Sequence, residues 1–169
     1  MRYCVQPATS VDVAFLAMVL DEATEAVLDR ADTNPAERLL KSCAFSAQVW
    51  TARDLSDGTP AALWGVAPRA DDPDVGHLWM LAAEPFDEAP GELEALSRLV
   101  LAEMLGEFPR LENYIDARKD RALELLRSIG FTVEPGVRQA DSDKTLHHVW
   151  IDSDSLRLPQ AYQPGTLHN

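Results

Sequence analysis

The run Gly76-His77-Leu78-Trp79-Met80-Leu81-Ala82-Ala83 contains no charged residue, and His77 alone breaks its apolar character. A strand with one face in water alternates apolar and polar side chains, whereas a strand this apolar must be covered on both faces. The chain is therefore expected to build a sheet with helices packed on each side. Its 169 residues suffice for one ordinary domain with a real core.

The segments around this run fit that plan. Arg2 to Pro7 reads as a first strand. Thr9 or Ser10 offers an N-cap hydroxyl and Asp12 an acid in the first turn, and the apolar spacing predicts a helix from Ser10 to about Leu28. Asn34 and Pro35 open a second helix that runs to Lys41. Gln48 to Arg53 and Ala61 to Ala67 read as strands flanking a loop whose Asp57-Gly58 pair is a hairpin signal. Glu92 to Phe108 is the clearest amphipathic helix, stopped by Pro109. Leu111 to Ala117 is a strand, and Arg118 to Ser128 a helix with Ala122, Leu123, Leu126 and Ile129 on one side and Gly130 at its C′ position. Phe131 to Glu134 and Thr145 to Ile151 form a closing strand pair. A run of antiparallel strands followed by two strand–helix units gives an α/β (α+β) domain with a mixed, mostly antiparallel sheet. The domain is expected over residues 1–151, with an extended tail over 152–169 that holds Pro159, Pro164 and Gly165.

Charge narrows the function. Acids outnumber bases by 28 to 15, for a net charge of −13. Such a chain repels nucleic acid and anionic membranes, and its acidity serves either solubility or a meeting with a basic partner. No window carries the roughly 18 consecutive apolar residues of a membrane span. Cys4 and Cys43 match neither a disulfide framework nor a metal spacing, so both are read as buried, reduced side chains of a cytoplasmic protein.

Two stretches carry a family resemblance. Asn113 to Phe131, NYIDARKDRALELLRSIGF, and the opening VQPATSVDVAFL resemble the GNAT superfamily of N-acetyltransferases, the first through its closing Ile129-Gly130-Phe131 triplet. The resemblance spans Met1 to Ile151. Gly76 to Leu81, followed by a helix and then Phe108 to Arg118, is similar to GNAT-like internal virion proteins of short-tailed bacteriophages.

The resemblance implies a Gly-rich turn after the fourth strand, whose N–H groups would cradle the coenzyme A pyrophosphate. Here that place is held by Ala82 to Leu93, AAEPFDEAPGEL, with Gly91 its one glycine and with Pro85 and Pro90 removing donors. Asp71 to Ser97 holds eight acids and no Lys or Arg. Each carboxylate about 5 Å from a phosphate charge costs on the order of 1–3 kcal/mol. The resemblance also implies a general-acid Tyr in the last helix, and Leu126 stands there instead. Bound acetyl-CoA would meet Leu81, Ala83 and Gly91. The base would be His77 or Glu84, and Tyr114 the substitute acid. His147 and His148 point to opposite faces of their strand and cannot share a metal. Trp50, Trp64, Trp79 and Trp150 are expected to pack in strands.

These features imply a GNAT-fold phage protein with a degenerate acetyl-CoA site and no cofactor. It would act as a structural or binding component that touches particle or assembly proteins through its acidic surface and tail. It would reside in the host cytoplasm or in the packaged virion, with no nucleic acid or membrane partner and with self-association left open. An atypical acetyltransferase using acetyl-CoA is the alternative, and an acidic inhibitor of a host enzyme is a further one.

Overall fold

A computed structural model describes residues 2–20, 35–82 and 90–156. The strands are β1 (Tyr3–Pro7), β2 (Gln48–Asp54), β3 (Pro60–Pro68), β4 (Val75–Ala82), β5 (Arg110–Asp116), β6 (Thr132–Val133), β7 (Val137–Arg138) and β8 (Thr145–Asp152). The helices are α1 (Ser10–Leu20), α2 (Pro35–Phe45), α3 (Pro90–Glu107) and α4 (Asp120–Ile129). One sheet runs β1-β2-β3-β4-β5-β8-β6, with β7 on β8, and only β4 with β5 is parallel.

β4 is covered on both faces, as its composition requires. Leu78 and Met80 join the larger core with Leu96, Val100 and Met104 of α3 and with Leu123 and Leu126 of α4. Trp79 and Leu81 join the second core with Leu16 and Ala17 of α1, Leu39 of α2 and Leu63 of β3. The period of two along the strand thus separates the helices into two layers. Leu126, where the family resemblance implies a catalytic Tyr, is buried in the α3–α4 layer.

Local chemistry sets the element ends. Asp12 Oδ2 accepts from Thr9 N at 2.8 Å, and Asp12 N donates to Thr9 Oγ1 at 3.3 Å, a reciprocal cap that starts α1. Asp12 also pairs with Arg53 of β2 at 2.7 Å, which fixes α1 against the sheet. Burial pushes the Asp12 carboxyl up, but the bonds from Arg53 and Thr9 outweigh it and hold it below the ordinary value. The turn between β2 and β3 has Gly58 at φ 75°, as the Asp-Gly pair predicts. Gly130 ends α4 at φ 123°, and its N–H bonds to Leu126 and Arg127 carbonyls.

Several boundaries differ from the sequence reading. α4 begins at Asp120 rather than Arg118, because Asp116 accepts from Arg118 N at 2.9 Å and from its guanidinium at 2.7 Å, closing a turn there. α2 continues to Phe45, and β7 is an additional short strand. The expected continuation of the first helix to Leu28 and most of the tail, 157–169, lie outside the described residues. Among the described residues, no helix is long and apolar enough to cross a membrane.

Gly65 is the tightest point of the sheet. It sits opposite Trp79, and a Cβ there would lie 2.0 Å from the indole ring. Trp79 is pinned in turn by its Nε1 donating to Ser46 Oγ at 2.8 Å. Gly65→Ala should cost roughly 2–3 kcal/mol through overpacking. Thermal unfolding should then show a Tm lower by roughly 5–10 °C.

Candidate functional site

The site is built where the two parallel strands part. β4 and β5 pair only through Val75–His77 and Arg110–Glu112, after which β4 continues to Ala82 and β5 to Asp116 without a shared ladder. Asn113 bridges the start of the opening: its Nδ2 donates to Leu78 O at 2.7 Å, and its Oδ1 accepts from Tyr114 N at 2.6 Å. Because Leu78 O faces β5, the strand period turns the backbone groups of Met80 and Ala82 the same way. Among the described residues those groups have no strand partner. Carboxyl ends of diverging strands are where α/β sheets take ligands. A chain bearing amides could pair with this edge.

Carboxylates near the start of α3 and the end of β5 are tied into the fold. Pro90, the first residue of α3, has no N–H to offer an anion. Glu92 Oε1 accepts from both Arg2 N and Tyr3 N at 2.8 Å, so this first-turn acid ties α3 to β1. At the end of β5, bonds from the Arg118 side chain and N–H hold the Asp116 carboxyl down at about 2. Glu94 pairs with Arg98 at 2.6 Å, and Arg98 also donates to the carbonyls of Ser128 and Ile129, clasping α3 to the end of α4.

The sequence candidates are spread along this region rather than gathered. His77 lies at the closed end, paired with Glu112, and its side chain is exposed. Tyr114 stands in the open part of β5, half-exposed, with its ring stacked on His148 at 4.9 Å between centroids. Leu81 is at the open end, but its side chain is buried beneath α1 and α2. Gly91 is exposed at the start of α3 with open space where a Cβ would go. Ala83 and Glu84 lie outside the described residues. The residues that shape the opening, Met80, Ala82 and Asn113, were not singled out from sequence. The sequence carries little signal for them, since Asn113 sits in a strand that also holds Arg110, Glu112 and Asp116.

A second feature missed from sequence covers the β5–β8 surface. Glu112, buried, accepts from Arg69 at 2.7 Å and lies 2.8 Å from His148 Nε2. His148 Nδ1 lies 3.2 Å from Glu134 Oε2. Both ring nitrogens thus meet carboxylates. Trp150 Nε1 donates to Glu134 Oε1 at 3.3 Å, and the Arg110 guanidinium lies over the Trp150 ring at 3.8 Å. His147 turns away from His148 and meets Glu134 O at 2.8 Å. Among the described residues, no group of three His, Cys, Asp or Glu side chains is placed to hold a metal ion. The other tryptophans are buried in strands as expected, with Trp64 Nε1 donating to Ser97 and Trp50 Nε1 to Gln48.

The network makes stability depend on acid. Burial pushes Glu112 up, but the bonds from His148 and Arg69 outweigh it and leave it lowered. Glu134 is lowered mainly by His148. Depressed carboxylates stabilise the fold above their unfolded value, and that contribution is lost as pH falls through the folded value. His148→Ala should therefore move the acid-unfolding midpoint, followed by circular dichroism, up by roughly half a pH unit.

The architecture has counterparts of known structure. A GCN5-related N-acetyltransferase from Kribbella flavida superposes with a TM-score of 0.67 at 18% identity, covering 89% of this chain and 98% of that one. A putative acetyltransferase from Acinetobacter baylyi gives 0.72 at 14%, covering 94% and 97%. A ribosomal-protein-S5-alanine acetyltransferase from Vibrio fischeri gives 0.68 at 13%, covering 93% and 96%. No protein-family profile matches the sequence, and no curated protein matches it. The chain has the fold of the GNAT N-acetyltransferases.

Proposed function

We propose that this chain is a GNAT-fold protein whose coenzyme A site is degenerate and which serves as a protein-binding component of a phage particle or its assembly. The observation that carries this reading is the start of α3. An ordinary pyrophosphate cradle offers free N–H groups at a helix start. Here the helix starts at Pro90, and the carboxylate of Glu92 is held at that end by two backbone N–H groups of β1. A phosphate about 5 Å from such a carboxylate meets a repulsion on the order of 1–3 kcal/mol. The helix dipole returns about 1 kcal/mol at most in this setting. The sequence adds Glu84, Asp87 and Glu88 just before the helix and no compensating Lys or Arg. Leu126, buried and without a proton to give, removes the leaving-thiolate acid that the family resemblance implies. The similarity of Gly76–Leu81 and Phe108–Arg118 to phage internal virion proteins supplies the setting. The protein would work in the host cytoplasm or packaged in the particle.

An atypical acetyltransferase is the second reading. The backbone edge at Met80 and Ala82, without a strand partner among the described residues, favours it, since this edge could still receive an amide-bearing arm. Tyr114, with His148 stacked on it, would then be the group nearest to acid–base work.

Calorimetric titration with acetyl-CoA separates the two. The degenerate site should give no saturable heat below about millimolar ligand. Micromolar binding would sink the first reading and leave the acetyltransferase in its place.

A further inference from the structure

Past His77 and Glu112, β4 and β5 each present a strand edge to the same opening. Ala117 N donates to Thr145 O on the β8 side at 2.8 Å, so the period of two turns the backbone groups of Tyr114 and Asp116 the other way, toward β4. Arg69 N donates to Val75 O on the β3 side at 2.9 Å, so Met80 and Ala82 turn their groups toward β5. Two groups on the β5 side are already taken: Asn113 Oδ1 accepts from Tyr114 N, and Asp116 O accepts from Lys119 N at 2.9 Å. Among the described residues, the backbone groups of Met80 and Ala82 and the N–H of Asp116 have no such partner. Met80 is only 4% exposed, and buried backbone groups are as a rule paired. The opening thus calls for a polar partner on both of its sides at once.

An extended peptide is such a partner. Its N–H and C=O groups alternate from one side to the other, so one strand pairs with two edges, as a central strand of a sheet does. The side chains beside the opening set its chemistry. Met80 and Ile115 belong to the core under α3, while Leu81 and, by alternation, Tyr114 lie on the opposite face of the sheet. Asp116, at the outer end, is held by Arg118. A segment placed between the strands therefore meets uncharged neighbours on both faces along its middle. A second copy has no spare strand to give among the described residues, because all eight lie in the sheet. The chain itself leaves β8 at Asp152, which pairs with Arg110 at the closed end. We propose that the β4–β5 opening receives an extended, uncharged apolar segment of another protein, which pairs with both strands and completes the sheet. This rests on the reading of the chain as a protein-binding component and names the place and the form of what it binds.

The test uses the full chain and a labelled peptide of about eight Val, Ala and Thr residues, blocked at both ends and read by fluorescence anisotropy. Two further peptides carry N-methyl groups on alternate amides, one on the even residues and one on the odd. The unmodified peptide should saturate the chain below about 1 mM, and each methylated peptide should bind at least about tenfold more weakly, because a strand between two edges uses the N–H groups on both of its sides. Ala82→Pro removes an N–H that faces the opening and no bond of the β3 ladder. It should weaken the unmodified peptide by a similar factor while far-UV circular dichroism stays unchanged. If that variant does not fold, the methylated peptides decide alone. A loss with only one methylated peptide would overturn the proposal, because it marks addition to a single edge such as the outer side of β1. So would unchanged binding by folded A82P, or no saturation by the unmodified peptide. Binding that appears only once residues 157–169 are removed would assign the opening to the chain's own tail and overturn it too. Acetyl-CoA is titrated separately. Failure of the peptide with acetyl-CoA silent overturns this proposal alone, whereas micromolar binding of acetyl-CoA overturns the reading beneath it.

Discussion

β4 has no face that water would tolerate, and the architecture follows from that. Its residues must bury Leu78 and Met80 one way and Trp79 and Leu81 the other. Two helical layers are needed, and the chain supplies one before the strand and one after it. The close fit across Gly65 shows how little slack the arrangement has, because the Trp79 ring takes the space where any Cβ would stand. The capping pair of Thr9 and Asp12, and the Asp12–Arg53 ion pair, set the angle at which α1 meets this strand's outer layer.

Much of the fold could be read from local chemistry. Apolar periodicity gave α3 and the buried side of α4, the Asp57-Gly58 pair gave its turn, and Gly130 gave a helix end. What could not be read is either a local choice between competing partners or a meeting of residues far apart in sequence. Asp116 shortens α4 because its carboxylate captures Arg118, a choice that composition does not reveal. Glu112, Glu134 and His148 meet only because β5, β6 and β8 lie side by side. The site suffered most from this limit. The family resemblance pointed to His77, Glu84 and Tyr114 for catalysis and to Leu81, Ala83 and Gly91 for a cofactor, whereas the opening is defined by backbone groups at Met80 and Ala82 and by the amide of Asn113.

On the proposed reading, one half of a cofactor site is kept and the other is lost. Strand divergence persists because it comes from the register of a buried sheet, which the core enforces. The anion cradle is a surface feature that costs no core packing to abandon, and there the carboxylate of Glu92 is spent on joining α3 to β1. A scaffold that drops chemistry in this order retains its shape and frees its outer faces for other contacts.

The short parallel pairing of β4 with β5 also divides the molecule mechanically. Strands β1 to β4 form one continuous ladder and β5 to β8 another, and the two share only the positions Val75–His77 and Arg110–Glu112. The Asn113 amide is the first side-chain bond beyond the end of this shared ladder. Helix α3 spans this seam, packing against β1 and β2 on one side and β5 on the other, so one core under the helix, rather than the ladder, holds the two halves together.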